Sequence, residues 1–294
     1  MTKLLESLTC GLAILLHITF TQAQNSNSTN WPWQTFKSSS AQPPQLQVTK
    51  TGPTSPGYLF FDQNGDYAHN YSLFIMDDNN ELIWQSARGD YSAFQPQVLD
   101  GQNVLTYFNG ISFPEPWGFG YGIIEILNES YENIYNISLT AANEGYQGIM
   151  NSSDVWSYID MHESKITTDN TILVTVINVT QFDLSAIGGP SDGWIADSLF
   201  YEIDVHTNEV LFRWSSLDYI DQVPLENVIQ LYPLEDLGRN QTYPWGYFHI
   251  NSVDKFEDGS YLISSRTYCS IFKISPNGSV EWALQVCETN CYHL

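Results

Sequence analysis

Ile271-Phe272-Lys273-Ile274-Ser275-Pro276-Asn277-Gly278-Ser279-Val280-Glu281-Trp282 decides the fold. Apolar residues alternate with polar ones on both sides of a Pro-Asn-Gly turn, which is the signature of a β-hairpin. The unit recurs upstream. Leu73-Phe74-Ile75-Met76-Asp77 leads to Glu81-Leu82-Ile83-Trp84, and Phe200-Tyr201-Glu202-Ile203-Asp204 leads to Glu209-Val210-Leu211-Phe212-Arg213-Trp214. A less regular copy runs from Gly122-Ile123-Ile124-Glu125-Ile126 to Ile134-Tyr135-Asn136-Ile137. Strands that follow turns recur at residues 101–107, 170–176 and 259–265. Leading segments precede them at residues 94–98, 161–164 and 248–253. No stretch keeps a helical period. The expected fold is therefore all-β, a β-propeller with about four blades in residues 31–286. A β-sandwich is the rival, but it has no reason to reuse one hairpin motif. If the leading segments are innermost strands, Gln97, His162 and His249 occupy equivalent positions facing a central channel.

The flanks and the composition bear on location and partners. Lys3, the apolar core Leu12-Ala13-Ile14-Leu15-Leu16 and the small residues Thr21 and Ala23 read as a secretory signal peptide over residues 1–23. A membrane anchor is the alternative, but the apolar run falls short of the ~20 residues a span requires. Residues 24–30 form a polar linker, and residues 287–294 form a tail unlike the rest. N-glycosylation sequons begin at Asn27, Asn70, Asn128, Asn136, Asn151, Asn178, Asn240 and Asn277, which supports a secreted, extracellular protein. The 294 residues carry 33 acidic and 10 basic side chains, a net charge of −23. That excludes nucleic acid as the expected partner, and it disfavours an anionic membrane surface for the mature form. No cofactor and no metal site is expected, because one CxxxC does not make a zinc site. Cys287 and Cys291 are placed to pair in the tail, leaving Cys269 buried beside a strand. Oligomeric state is left open.

Among the histidines, His69, His206 and His293 read as solvated. His162 and His249 fall at matching repeat positions, where a structural and a chemical role are equally open. His249 and Asn251 are two apart, so a regular strand would put them on one face. Arg266 ends the strand expected to pair beside them. An imidazole, an amide and a guanidinium together suit an oxyanion such as sulfate or phosphate, although Arg266 can equally pair with an acid. Asp160 and Glu163 flank His162 and can orient it, hold a metal, or act as a carboxylate pair for glycoside chemistry. Asp192-Gly193-Trp194 and Asp197 are compatible with a calcium loop, which no spacing demands.

Several separated motifs resemble the fungal arylsulfotransferase family, related to bacterial arylsulfate sulfotransferases. They are Trp31-Pro32-Trp33-Gln34-Thr35-Phe36-Lys37-Ser38, Pro56-Gly57-Tyr58-Leu59-Phe60-Phe61, Asp192-Gly193-Trp194, Phe200-Tyr201-Glu202-Ile203-Asp204 and Phe248-His249-Ile250-Asn251-Ser252-Val253. The resemblance implies a propeller of about six blades. It also implies transfer of a sulfuryl group from a phenolic sulfate ester to a phenol through a sulfo-histidine. On that basis His249 and Asn251 match the family's His-x-Asn strand, Arg266 its downstream Arg, and His162 another channel histidine. Thr267 stands where family members often carry His after that Arg. The nucleophilic His of the family belongs to a later blade than this sequence contains. The expectation is thus an incomplete propeller of about four blades with impaired transfer, the alternative being a secreted propeller that binds without catalysing.

Overall fold

Residues 33–63, 68, 71–113, 118–140, 145–149, 155–228 and 237–285 are described in a computed structural model of the chain. Those residues form an all-β structure of antiparallel sheets. The first sheet runs β1 (Leu59–Gln63), β2 (Ser72–Met76), β3 (Leu82–Gln85). Two four-stranded meanders follow: β4 (Tyr91–Leu99), β5 (Gln102–Phe113), β6 (Phe119–Leu127), β7 (Asn133–Ile137), then β8 (Ile159–Ile166), β9 (Thr171–Phe182), β10 (Gly193–Asp204), β11 (Val210–Ser215). A single bridge, Gly122 to Ile159, joins them into one sheet. The short β12 (Trp245–Gly246) lies parallel to β10. The last sheet is a third meander, β13 (Ile250–Lys255), β14 (Tyr261–Ser265), β15 (Ser270–Ile274), β16 (Val280–Gln285).

Each hairpin expected from the sequence forms at its expected position. The central strand β9, Thr-Ile-Leu-Val-Thr-Val-Ile-Asn-Val-Thr-Gln-Phe, is rich in β-branched residues and buried over most of its length. The turns depart from expectation in one respect. Asn277-Gly278 is not a two-residue hairpin, since β15 ends at Ile274 and β16 starts at Val280. Instead Gly278 donates its N–H to the Ser275 carbonyl at 2.9 Å. The two-residue turn is Asp100-Gly101, joining β4 to β5, where φ is +52° and +74°. That pair of left-handed residues is the type I′ geometry that suits twisted strands.

Three apolar clusters lie between successive sheet units. Leu73 and Ile75 of β2 pack with Phe94, Leu105 and Tyr107 of the next unit. Ile124 and Ile126 of β6 pack with Ile172, Val174 and Val176 of β9. Phe200 and Trp214 pack with Phe248, Tyr261 and Phe272 of the last unit. Trp214 also donates its indole N–H to the Gly278 carbonyl at 2.9 Å. Among the described residues no helix is long and apolar enough to cross a membrane. Cys269 is disulfide-bonded, which corrects the expectation of a free buried thiol. The pair Cys287 and Cys291 lies outside the described residues, as do the proposed signal segment, the linker and the tail.

Candidate functional site

The leading strands β4 and β8 run side by side. Gln97 donates from Nε2 to the Ser164 carbonyl at 2.5 Å and to Thr106 Oγ1 at 2.6 Å, and its Oε1 accepts the Ile166 N–H at 2.6 Å. Gln97 is thereby spent in joining strands. The other two equivalent positions meet: His162 on β8 and His249, just before β13, stand with Nε2 atoms 3.3 Å apart.

Asp160 organises the pair. It is two residues before His162 on β8, at the stretch where the β8–β9 register shifts, and the two side chains meet there. Its carboxylate is fully buried. Oδ1 accepts the Gly120 N–H at 2.7 Å, while Oδ2 accepts Thr175 Oγ1 at 3.3 Å and the His162 backbone N–H at 3.3 Å. The same Oδ2 lies 2.5 Å from His162 Nδ1. Burial pushes the Asp160 carboxyl up, but the neighbouring His162 charge, its hydrogen bond and the Gly120 N–H outweigh this and hold it below its ordinary value. Burial likewise works against a charged His162, and the Asp160 carboxylate overcomes it and holds the imidazole above its ordinary value. His249 differs: burial, the adjacent His162 and Arg266 push it down to about 3. From these directions His162 holds its proton more readily than His249, so of the two facing Nε2 atoms that of His162 is the favoured donor and that of His249 the acceptor.

His249 also carries backbone strain. Its φ is +51°, a left-handed conformation uncommon outside glycine and typical of functional sites. Two contacts hold it there: its N–H donates to Ser198 Oγ at 3.0 Å, and its carbonyl accepts the Arg266 N–H at 2.9 Å. Phe119 stacks on its ring, with centroids 4.4 Å apart and planes at 29°. Gly118, at φ +67°, closes the site: a Cβ there would stand 3.3 Å from Arg266 Nη1 and 3.7 Å from His249 Cε1. The missing side chain leaves room in front of both groups.

Arg266 follows β14, which pairs with β13 as expected. The structure therefore brings His162, His249 and Arg266 together. It places Asn251 elsewhere in character: β13 starts only at Ile250, its register shifts between Ile250 and Ser252, and Asn251 is exposed at that irregularity. Two-residue spacing on a regular strand thus does not describe His249 and Asn251. Of the readings open for Asp160, the structure supports orientation of His162. Glu163 turns elsewhere, accepting the Ser164 N–H at 3.1 Å and lining a cavity of about 720 Å³ with Gln95, Gln97 and Lys165. Asp197 is occupied by Ser215 Oγ at 2.6 Å, Ser216 Oγ at 2.8 Å and the Leu217 N–H at 3.2 Å rather than facing a loop site. Among the described residues no group of three or more His, Cys, Asp or Glu is placed to hold a metal ion. Sequence reasoning missed Gly118, Phe119 and Ser198. The first two had a signal in Gly118-Phe119-Gly120, glycines flanking an aromatic at a strand start, whereas Ser198 had none.

The model of the family described as Arylsulfotransferase (ASST) matches residues 95–289. No curated protein matches the chain. A solved structure of a protein of unknown function from Bacteroides caccae is 14% identical, with a TM-score of 0.41, over 80% of this chain and 60% of that one. The chain thus spans less than two thirds of that solved chain.

Proposed function

The chain belongs to the arylsulfotransferase family, and from that premise we propose that it is a secreted, glycosylated propeller protein that moves a sulfuryl group from a phenolic sulfate ester to a phenol. The observation that carries the reading is the cluster of His162, His249 and Arg266 around Gly118. Arg266 offers forked donors to sulfate oxygens, and a charged His162 adds a second cation beside them. This local positive charge is what an anionic ester requires in a chain of net charge −23. The propeller reading is supported by successive four-stranded meanders that bury their apolar faces on one another. Secretion and glycosylation are supported by the signal-like start and by sequon residues Asn136, Asn240 and Asn277, all exposed.

Transfer through this cluster is expected to be slow. A nucleophilic imidazole needs a free lone pair, and the lone pair of neutral His249 faces His162 Nε2 at 3.3 Å. A second reading, binding without turnover, is favoured by Thr267. Where the family often carries a further histidine, Thr267 is buried and donates to the backbone carbonyls of Tyr247 and Phe248 at 2.5 and 2.9 Å. Incubation with 4-nitrophenyl sulfate and a phenol acceptor separates the two. Transfer that disappears in His249→Ala supports the first reading, and saturable aryl sulfate binding without transfer supports the second. Transfer at an unchanged rate in His249→Ala removes this cluster from consideration.

A further inference from the structure

We propose that Asp160 is a positioning residue for this transfer, fixing the His162 ring so that Nε2–H is presented beside His249 and Arg266 as the proton donor to the departing phenolic oxygen. The inference rests on the sulfuryl-transfer reading above. Its physical basis is the number of contacts that immobilise the carboxylate. Four donors from three strands converge on the two oxygens of Asp160: Gly120 from β6, Thr175 from β9, and both the backbone and the ring of His162 on β8. The carboxylate has no exposed surface through which to turn away. A bond from Nδ1 to a carboxylate fixes the tautomer and leaves Nε2 as the working nitrogen. That nitrogen faces His249 Nε2 at 3.3 Å, and in the transfer the departing aryl oxygen takes the place of His249 as its acceptor.

The charged and titratable groups around His162 are Asp160 and Glu163 on its own strand, His249 ahead of β13 and Arg266 after β14; Tyr121 of β6 faces Asp160. Asp160 is the group that bonds the ring, so its removal should dominate the ring's titration. In the transfer the S–O bond to the donor's aryl oxygen breaks, and its electron pair goes to that oxygen. The His162 Nε2 proton neutralises it, giving a phenol. Sulfur forms its new bond to the oxygen of the acceptor phenol, and the proton that oxygen loses restores His162. One aryl sulfate and one phenol thus give one phenol and one aryl sulfate.

Two measurements on the full chain test this. The first follows the histidine ring nitrogens by NMR across pH in wild type, Asp160→Asn and Asp160→Glu, with His162→Gln and His249→Gln for assignment. His162 should titrate above the ordinary histidine value near ~6.5 in wild type, and Asp160→Asn should lower it by about one pH unit or more. A wild-type His162 that titrates at or below the ordinary value overturns the proposal without any variant. The same titration in Asp160→Asn as in wild type also overturns it. The second compares aryl sulfates of rising leaving-group basicity. Asp160→Asn should lose little with 4-nitrophenyl sulfate and about 100-fold or more with phenyl sulfate, the size expected for general acid catalysis. An equal loss with both means the residue is only structural. Absence of transfer in wild type overturns the acid role together with the sulfuryl-transfer reading, and the titration then decides separately whether Asp160 fixes His162.

Discussion

His249 is buried, neutral and strained, and each property comes from a different neighbour. Burial and two nearby cations keep it neutral, while Ser198 and the Arg266 N–H hold the left-handed backbone. Gly118 is the matching concession on the opposite side. Gly118→Ala should therefore weaken aryl sulfate binding by about 10-fold, from a methyl 3.3 Å from Arg266 Nη1 and a φ of +67° that alanine resists. Isothermal titration reads the affinity, and unchanged binding shows that the sulfate group sits elsewhere. Two buried groups also set the pH dependence of stability, with opposite signs. His249 falls to about 3 on folding, so the unfolded chain takes up the proton first and stability drops as pH falls from ~6.5 toward about 3. Burial raises Asp197 to about 6 against the hydrogen bonds from Ser215 and Ser216. The folded state then binds the proton more tightly, so this group's contribution is lost as pH rises from ~4 to about 6. Within that window the two effects oppose. Asp197→Asn removes one of them, and urea denaturation should then show stability climbing with pH by about 2–3 kcal/mol more than in wild type between pH ~4 and ~6. Parallel curves for the two proteins reject that account.

At the scale of the element, Trp84 and Trp214, each closing a hairpin, hold one sheet unit to the next. Trp214 of β11 is fully buried, stacks on Phe200 and Tyr219, and donates to the Gly278 carbonyl across the following hairpin. Trp214→Ala should cost about 3–5 kcal/mol in denaturant unfolding, a cavity plus an orphaned acceptor. Trp214→Phe, which keeps much of the ring, should cost clearly less. Equal losses for the two would place the energy in the hydrogen bond alone. These hairpins were legible in the sequence because period-2 alternation and turn residues are local signals. The meeting of His162 and His249 was legible only as equivalence between repeats. What escaped the reading depends on partners distant in the chain. The left-handed His249 needs Ser198 and Arg266, so no local pattern marks the break before β13, and Asn251 was wrongly expected on a regular strand face beside it. The parallel strand β12 lies on β10 after a long connection, and period alone does not reveal it. Asp160 lies two residues before His162, the spacing applied to Asn251, and there the side chains do meet; yet the β8–β9 register shifts between Ile159 and Ser164, so the carboxylate contact and not a regular strand brings them together.

Across the whole molecule, the site's chemistry and the chain's overall charge pull in opposite directions. A net charge of −23 surrounds a cluster in which Arg266 stands beside His162, whose imidazole, against the effect of burial, Asp160 holds above its ordinary value. An approaching aryl sulfate is repelled at long range and attracted only on arrival. Salt screens the first effect strongly and the second weakly, because the screening length falls from about 30 Å at ~10 mM salt to about 8 Å at ~150 mM, while the cluster acts at contact distance behind buried walls. Capture of an anionic donor should therefore speed up as sodium chloride is raised across that range, several-fold in kcat/KM or in the association rate. A neutral phenol acceptor should show almost no change. Sodium sulfate should depart from sodium chloride at equal ionic strength by competing for Arg266 and His162, so its curve should turn downward. Capture that slows with chloride as steeply as with sulfate would mean that the local cations, and not the net charge of the chain, govern the approach of the donor.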